Sequence, residues 1–168
     1  MNLYSIYQPF WKRKTLHEIT GKEWESLCCK CGICCLHRLH GRKSGEIYFT
    51  ALACRYLDLQ TCLCKIYENR FQIDRKCKKI TPDNILKLEW LPKTCGYRTV
   101  AENRNFKWWH PLISGCSDTV HQAGISIRNK EIFSGEDMVV GDLLKYMLIK
   151  PVNRFFRLAS DENNIEKK

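Results

Sequence analysis

Apolar positions along the chain fall in short groups rather than long periodic runs, which predicts short elements joined by much loop. Residues 1–14 read as an arm carrying Pro9, Phe10 and Trp11. Thr15 with Glu18, and Thr20 with Glu23, each fit the Thr-x-x-Glu capping box. The second pair predicts a short helix that presents Trp24 and Leu27 and delivers the chain to Cys28. Residues 37–45 read as a basic loop broken by Gly41 and Gly45. The run EIYFT at 46–50 predicts a short strand, and KIYENRF at 65–71 one or two helical turns. Thr81-Pro82 offers an N-cap with proline at the first helical position, predicting a helix that ends before Pro92. A further helix is expected over 97–104, a strand over GISIRNKEI at 124–132, and a helix over GDLLKYMLI at 141–149, stopped by Pro151. From Ser160 the sequence SDENNIEKK is polar. The expected architecture is a small irregular α+β domain over 15–151, with an N-terminal arm over 1–14 and a C-terminal tail over 152–168.

No stretch approaches the roughly 18 apolar residues that span a bilayer; the longest apolar group, near Met138–Ile149, is interrupted by Gly141, Asp142 and Lys145. In a secretory signal the positive charges precede the apolar run. Here Lys12, Arg13 and Lys14 follow it, and Gln8 and Pro9 interrupt it. The expected location is the reducing cytoplasm. That decides how the 11 cysteines are read. Their number is odd, so a complete disulfide framework would leave one thiol over. In a reducing compartment, dense cysteines point to metal ligation or redox chemistry.

Cys28, Cys31, Cys34 and Cys35 form C-x-x-C-x-x-C-C. Two thiolates separated by two residues can turn inward on one ion, and Gly32 relieves the crowding by allowing positive φ. Adjacent Cys34 and Cys35 diverge more readily, so they can serve two ions, bridge two metals, or include one structural thiol. Further donors lie downstream at Cys54, Cys62, Cys64, Cys77 and Cys95. Tetrahedral zinc takes four nitrogen or sulfur ligands, usually from two separated segments, and iron–sulfur clusters also take four thiolates. The supply is enough for two four-ligand sites; which thiol belongs to which site stays open. The bacterial ferredoxin run C-x-x-C-x-x-C-x-x-x-C-P matches only in its first three cysteines. The expected cofactor is zinc or iron, with an iron–sulfur cluster as an alternative.

The combination C-x-x-C-x-x-C-C, Cys54-Arg-Tyr-Leu, Cys64-Lys-Ile-Tyr-Glu-Asn-Arg and Cys77 resembles the bacterial CxxCxxCC cysteine-cluster family, described as a zinc- or iron-chelating domain. The branch that it resembles has W-E-S-L-C before the cluster, here Trp24–Cys28, and E-W-L-P-x-T-C-x-Y-R after it, here Glu89–Arg98. Trp109-His110-Pro111-Leu112 also resembles that branch. The resemblance covers residues 9–132. It implies metal chelation by Cys28, Cys31, Cys34, Cys35, Cys54, Cys62, Cys64, Cys77 and Cys95, with Cys29 and Cys116 as extras. Phe71 stands where many family members have proline. The resemblance implies no particular reaction.

The formal charge is +10, from 28 Lys and Arg against 18 Asp and Glu. Two sites of four thiolates, each with a divalent ion, would lower it to roughly +6. A basic surface favours phosphate-bearing partners, so nucleic acid is a second expected partner class beside the metal ion. Trp24, Trp90, Trp108 and Trp109 read as core before they read as stacking platforms for bases. His37 and His40 follow the cluster at i, i+3, which on a helix would share a face; His110 reads as packed in a turn. Tyr67, Glu68 and Arg70 are candidates for a lid over the cluster. No nucleophile–base constellation or phosphate-cradling glycine loop stands out. The expected function is metal binding, with an iron-dependent enzyme or electron carrier, or a basic zinc module on nucleic acid, as alternatives.

Overall fold

The computed structural model describes residues 8–41, 43, 45 and 47–137, together with the backbone of 150–151. It is an irregular α+β arrangement of one-turn helices around a short sheet. The helices are α1 (Phe10–Arg13), α2 (Gly21–Ser26), α3 (Arg70–Ile73), α4 (Gly96–Ala101), α5 (Pro111–Ser114) and α6 (Thr119–Gln122). The strands are β1 (Leu36–His40), β2 (Ile47–Ala53), β3 (Phe133–Ser134) and β4 (Lys150–Pro151). β2 is central. It pairs antiparallel with β1 on one edge, and with β3 in parallel and β4 antiparallel on the other. Its residues 49–53 are all buried, as befits a strand covered on both faces.

Two buried clusters form the core. One gathers Ile33, Leu36, Phe49, Leu57, Trp109, Val120, Ile125 and Ile127; the other gathers Ile19, Trp24, Leu27, Ile85, Leu91 and Tyr97. The cysteine-rich segment runs along the seam. Cys29, Cys31 and Cys35 pack on the first cluster, and Cys28, Cys34 and Cys95 on the second. Each cluster is small, so the seam is where additional cross-linking energy has most to contribute. Residues 8–14 of the expected arm are described: Phe10 and Trp11 pack against the second cluster, with Trp11 edge-on to Phe106 at 5.4 Å.

The Thr20–Glu23 capping box forms as its sequence predicts, and α2 starts there. The Thr15–Glu18 pair makes only a turn, in which the Thr15 N–H and hydroxyl both donate to Glu18. The expected basic loop over 37–45 is instead a strand as far as His40: as an edge strand, β1 tolerates charged side chains while its backbone pairs with β2. His37 and His40 therefore do not share a helical face. Residues 47–53 extend the predicted strand. The turns at 67–73 lie where helix was expected, as does α4.

The helix expected from Thr81 to Pro92 reduces to turns and a 3-10 segment at Ile85–Lys87. Asn84 explains this. Its carbonyl oxygen accepts from Thr81 N and its amide donates to Lys79 O, offering the backbone an alternative to helix. The strand expected over 124–132 does not form either. Gly124 and Asn129 are left-handed, at φ 68° and 62°, and Ile127 N donates to Cys31 O instead of to a strand neighbour. Its alternating isoleucines still bury, Ile125 and Ile127 at 1% and 2% exposure. The helix expected over 141–149 and the tail over 152–168 lie outside the described residues.

Candidate metal centre

The cysteine loop is positioned from both ends. Leu27 caps α2 and delivers Cys28. Lys30 and Gly32 then take left-handed backbone at φ 57° and 76°, which wraps the loop tightly. Gly32 also sets up the 3-10 turn Ile33–Cys35, through Cys35 N donating to Gly32 O. Ile127 lies 2.8 Å from where a Cβ on Gly32 would stand, so the loop presses on the first core cluster.

Cys95 arrives from a distant stretch as the N-cap of α4. The approach is so close that a Cβ on the next residue, Gly96, would overlap the backbone oxygen of Leu27 and lie 2.9 Å from His110 Nε2. His110 completes the junction. It is fully buried, its Nδ1 accepts from Leu112 N, and its Nε2 donates to Leu27 O at 3.2 Å. Phe106 stacks on its ring at 3.9 Å between centroids.

Burial lowers the pKa of His110 to about 4, outweighing the opposing effect of its bond to Leu27 O. The unfolded chain therefore takes up this proton at pH values where the folded one does not, between about 6.5 and about 4. Stability is expected to fall as pH drops through that window, by up to about 3 kcal/mol from this group. By NMR, the His110 ring should remain neutral to about pH 5; titration near the ordinary histidine value would contradict its placement.

Nine cysteines were expected as ligands, and the structure sorts them. Cys28, Cys31, Cys34 and Cys95, with Cys29, line a small void of ≈ 20 Å³ bordered by Ile80, Pro92 and Tyr97. That volume admits about one water-sized body. Cys54, Cys64 and Cys77 instead line a larger cavity of ≈ 1160 Å³, which Cys28, Cys34 and Cys35 also border. Cys54 is drawn to the cluster by its N–H donating to Cys35 O at 2.8 Å, and Cys77 N donates to Asp74 O. Cys34 and Cys35 sulfurs are 3.9 Å apart. Cys62 lines neither cavity; it is left-handed at φ 58° and buried in the first core cluster beside Cys31, with burial and then the charge of Cys31 raising it. Cys116 is exposed, and all eleven thiols are unpaired. His37 and His40 line the larger cavity.

Electrostatics tie the first four thiols together. Cys28 is pushed up by burial and then by the charges of Cys34 and Cys31. The hydrogen bond from Cys29 and then burial raise Cys31, and the bond with Cys35 and then burial raise Cys34. Burial pushes Cys95 up to about 12, with Cys31 and Cys34 adding to it. In the second group burial again leads, with Asp74 and Cys64 raising Cys54, and Cys64 and Cys34 among those raising Cys77. Asp74, absent from the expected set, has Oδ2 4.0 Å from Cys54 Sγ. Its position three residues before Cys77 was a usable signal. Without a cation, Cys28, Cys31, Cys34, Cys54, Cys77 and Cys95 hold their protons; a thiophilic cation would favour thiolates there. The donor chemistry thus fits zinc or iron. Among the described residues, no three His, Cys, Asp or Glu side chains stand grouped tightly enough to clasp an ion as they lie.

No family model matches the chain, and no solved structure matches it. Curated relatives do. A UPF0260 protein of Rhizobium leguminosarum bv. trifolii is 50% identical over 144 residues, covering 86% of this chain and 89% of that protein. A UPF0260 protein of Mesorhizobium japonicum is 49% identical over 141 residues, 83% of this chain and 95% of its own length. One from Nitrobacter hamburgensis is 53% identical over 121 residues, 72% and 71% of the two chains. With half of its positions shared over most of its length, the chain belongs to the UPF0260 family of bacterial proteins.

Proposed function

We propose that the chain is a thiolate metal-binding protein of the cytoplasm, and that its UPF0260 relatives are cysteine-cluster proteins of the same CxxCxxCC kind. Cys28, Cys31, Cys34 and Cys95 would hold one zinc or iron ion. Cys54, Cys64 and Cys77, with Asp74 or Cys35, make a second donor group. The observation that carries this reading is the void of ≈ 20 Å³ at the seam of the two cores, lined by thiols from two segments far apart in sequence. A structural site of this kind takes four donors from separated stretches and adds its binding energy to folding. The first group is enclosed by Pro92, Tyr97 and Ile80, as structural sites are. The second faces a cavity, which leaves room for exchange or for an added ligand. Cys62 contributes packing behind Cys31.

The test is elemental analysis with an absorption spectrum on anaerobically purified protein. About one to two thiol-bound ions per chain are expected. A colourless zinc protein assigns the structural reading, whereas a brown protein with visible charge-transfer absorption assigns iron or an iron–sulfur cluster. Protein that is fully folded with neither metal would overturn the proposal.

A further inference from the structure

The larger cavity is strongly cationic: Arg38, Arg55 and Arg70 act on the thiols Cys34, Cys54 and Cys77, and three lysines add to them. Six cations line it: Arg38, Arg55, Arg70, Lys76, Lys78 and Lys79. Only two carboxylates do, and both are engaged. Glu25 takes the Tyr67 hydroxyl, and Asp74 accepts from Lys76 N while facing Cys54. None of the six cations forms an ion pair among the described residues. Two filled thiolate centres would cut the excess of four to about one where Asp74 completes the second centre, and to about zero where Cys35 does.

Arg38 is the most informative of the six. It is half-buried on β1, and its guanidinium carbon sits over the Trp90 ring, 3.5 Å from the centroid. A guanidinium over a ring keeps its N–H donors for other partners, and no hydrogen-bond acceptor is assigned to those of Arg38 among the described residues. Half-burying such a group is costly, and the groups that act on its charge are the thiols Cys34 and Cys35, with no carboxylate paired to it among the described residues. Beside the thiols, His37 and His40, the lining is largely apolar and aromatic, including Leu36, Leu57, Ile66, Tyr56 and Trp24. A concave, largely apolar site with a few convergent charged groups is the form that small-molecule sites take.

We propose that this cavity binds a small organic anion with an apolar body, its anionic group held by Arg38 and drawn in by the lysines of the rim. The inference rests on the cations and the cavity shape, and the attraction for an anion is greatest when the thiols carry no ion.

Fluorescence titration of the full-length, anaerobically purified protein with anilinonaphthalene sulfonate tests this. The sulfonate is expected to saturate one site, and its uncharged counterpart phenylnaphthylamine to bind at least about tenfold more weakly. Arg38→Gln should weaken sulfonate binding by about tenfold, and Arg38→Lys by clearly less. Lys78→Gln, at an exposed position where folding is not at stake, should weaken it by about threefold at low salt and less at high salt. Absence of saturable binding, equal affinity for both probes, or indifference to both Arg38→Gln and Lys78→Gln would overturn the proposal. So would an Arg38→Gln protein with less metal but unchanged sulfonate affinity, since Arg38 would then serve only as a countercharge to the thiolates.

Discussion

Gly96→Ala is expected to destabilise the protein by about 3 kcal/mol or more, near the upper end of single-substitution effects. The reason is local and steric. A methyl group at this position would overlap the backbone oxygen of Leu27 and crowd His110 Nε2, the group that donates to that same oxygen. Neither neighbour can yield cheaply. Leu27 is fully buried and anchors the end of α2, and His110 is fully buried under Phe106. Relief would have to come from separating the 27–28 stretch from the 95–96 stretch, which pulls Cys28 away from Cys95. The substitution should therefore lower the urea midpoint and the metal content together. Gly21→Ala is the matched control, because nothing lies within 4 Å of its added methyl; alanine there should be neutral or slightly stabilising. Equal stability of the two variants would show that the junction is looser than described.

Cys31→Ser is expected to have the second largest effect. The thiol is 8% exposed, faces Cys29 and Cys34, and lines the small void. Serine has nearly the same shape but replaces a soft thiolate donor with a poor one, so packing is largely kept while ligation is lost. Metal content should fall by at least about half, with a loss of stability on the order of 3 kcal/mol, because ion binding and folding are one equilibrium in such sites. Cys116→Ser, at an exposed thiol remote from both groups, should change neither quantity. Unchanged metal stoichiometry in Cys31→Ser would remove it from the ligand set, and with it the first donor group.

What the sequence revealed about this fold follows the range of the forces involved. The Thr20–Glu23 box was legible because both hydrogen bonds of a capping box are local, and they form as the spacing predicts. Gly32 was legible for the same reason, since its left-handed turn belongs to the loop itself. The density of thiols in the C-x-x-C-x-x-C-C run and the downstream cysteines marked the candidate centre. The sorting of those thiols was not legible, because it depends on Cys95 meeting Cys28 across a contact that only Gly96 permits. Cys62 shows the limit most clearly: by composition it equals its neighbours, yet it lies beside Cys31 in the first core cluster and lines neither cavity.

The misread elements have equally specific causes. Basic side chains at 37–45 suggested a loop, but pairing of the β1 backbone with β2 does not depend on side-chain polarity at an edge. In the 124–132 stretch the alternation of Ile125 and Ile127 reported burial correctly, while Gly124 and Asn129 broke the strand geometry. Asn84 diverted the 81–91 stretch from helix by a side-chain bond that composition does not display. Arg38 was unremarkable as a basic residue; only its position on Trp90, at a cavity whose two carboxylates are engaged elsewhere, makes it a candidate ligand-binding group.

The most direct measurement is X-ray absorption at the metal edge of the anaerobically purified protein, with Cys116→Ser included to exclude the exposed thiol. The account predicts an inner coordination sphere dominated by sulfur, about four scatterers at about 2.3 Å. A sphere of oxygen and nitrogen alone would contradict it, because the buried thiols at the seam of the two cores would then have no ion to share.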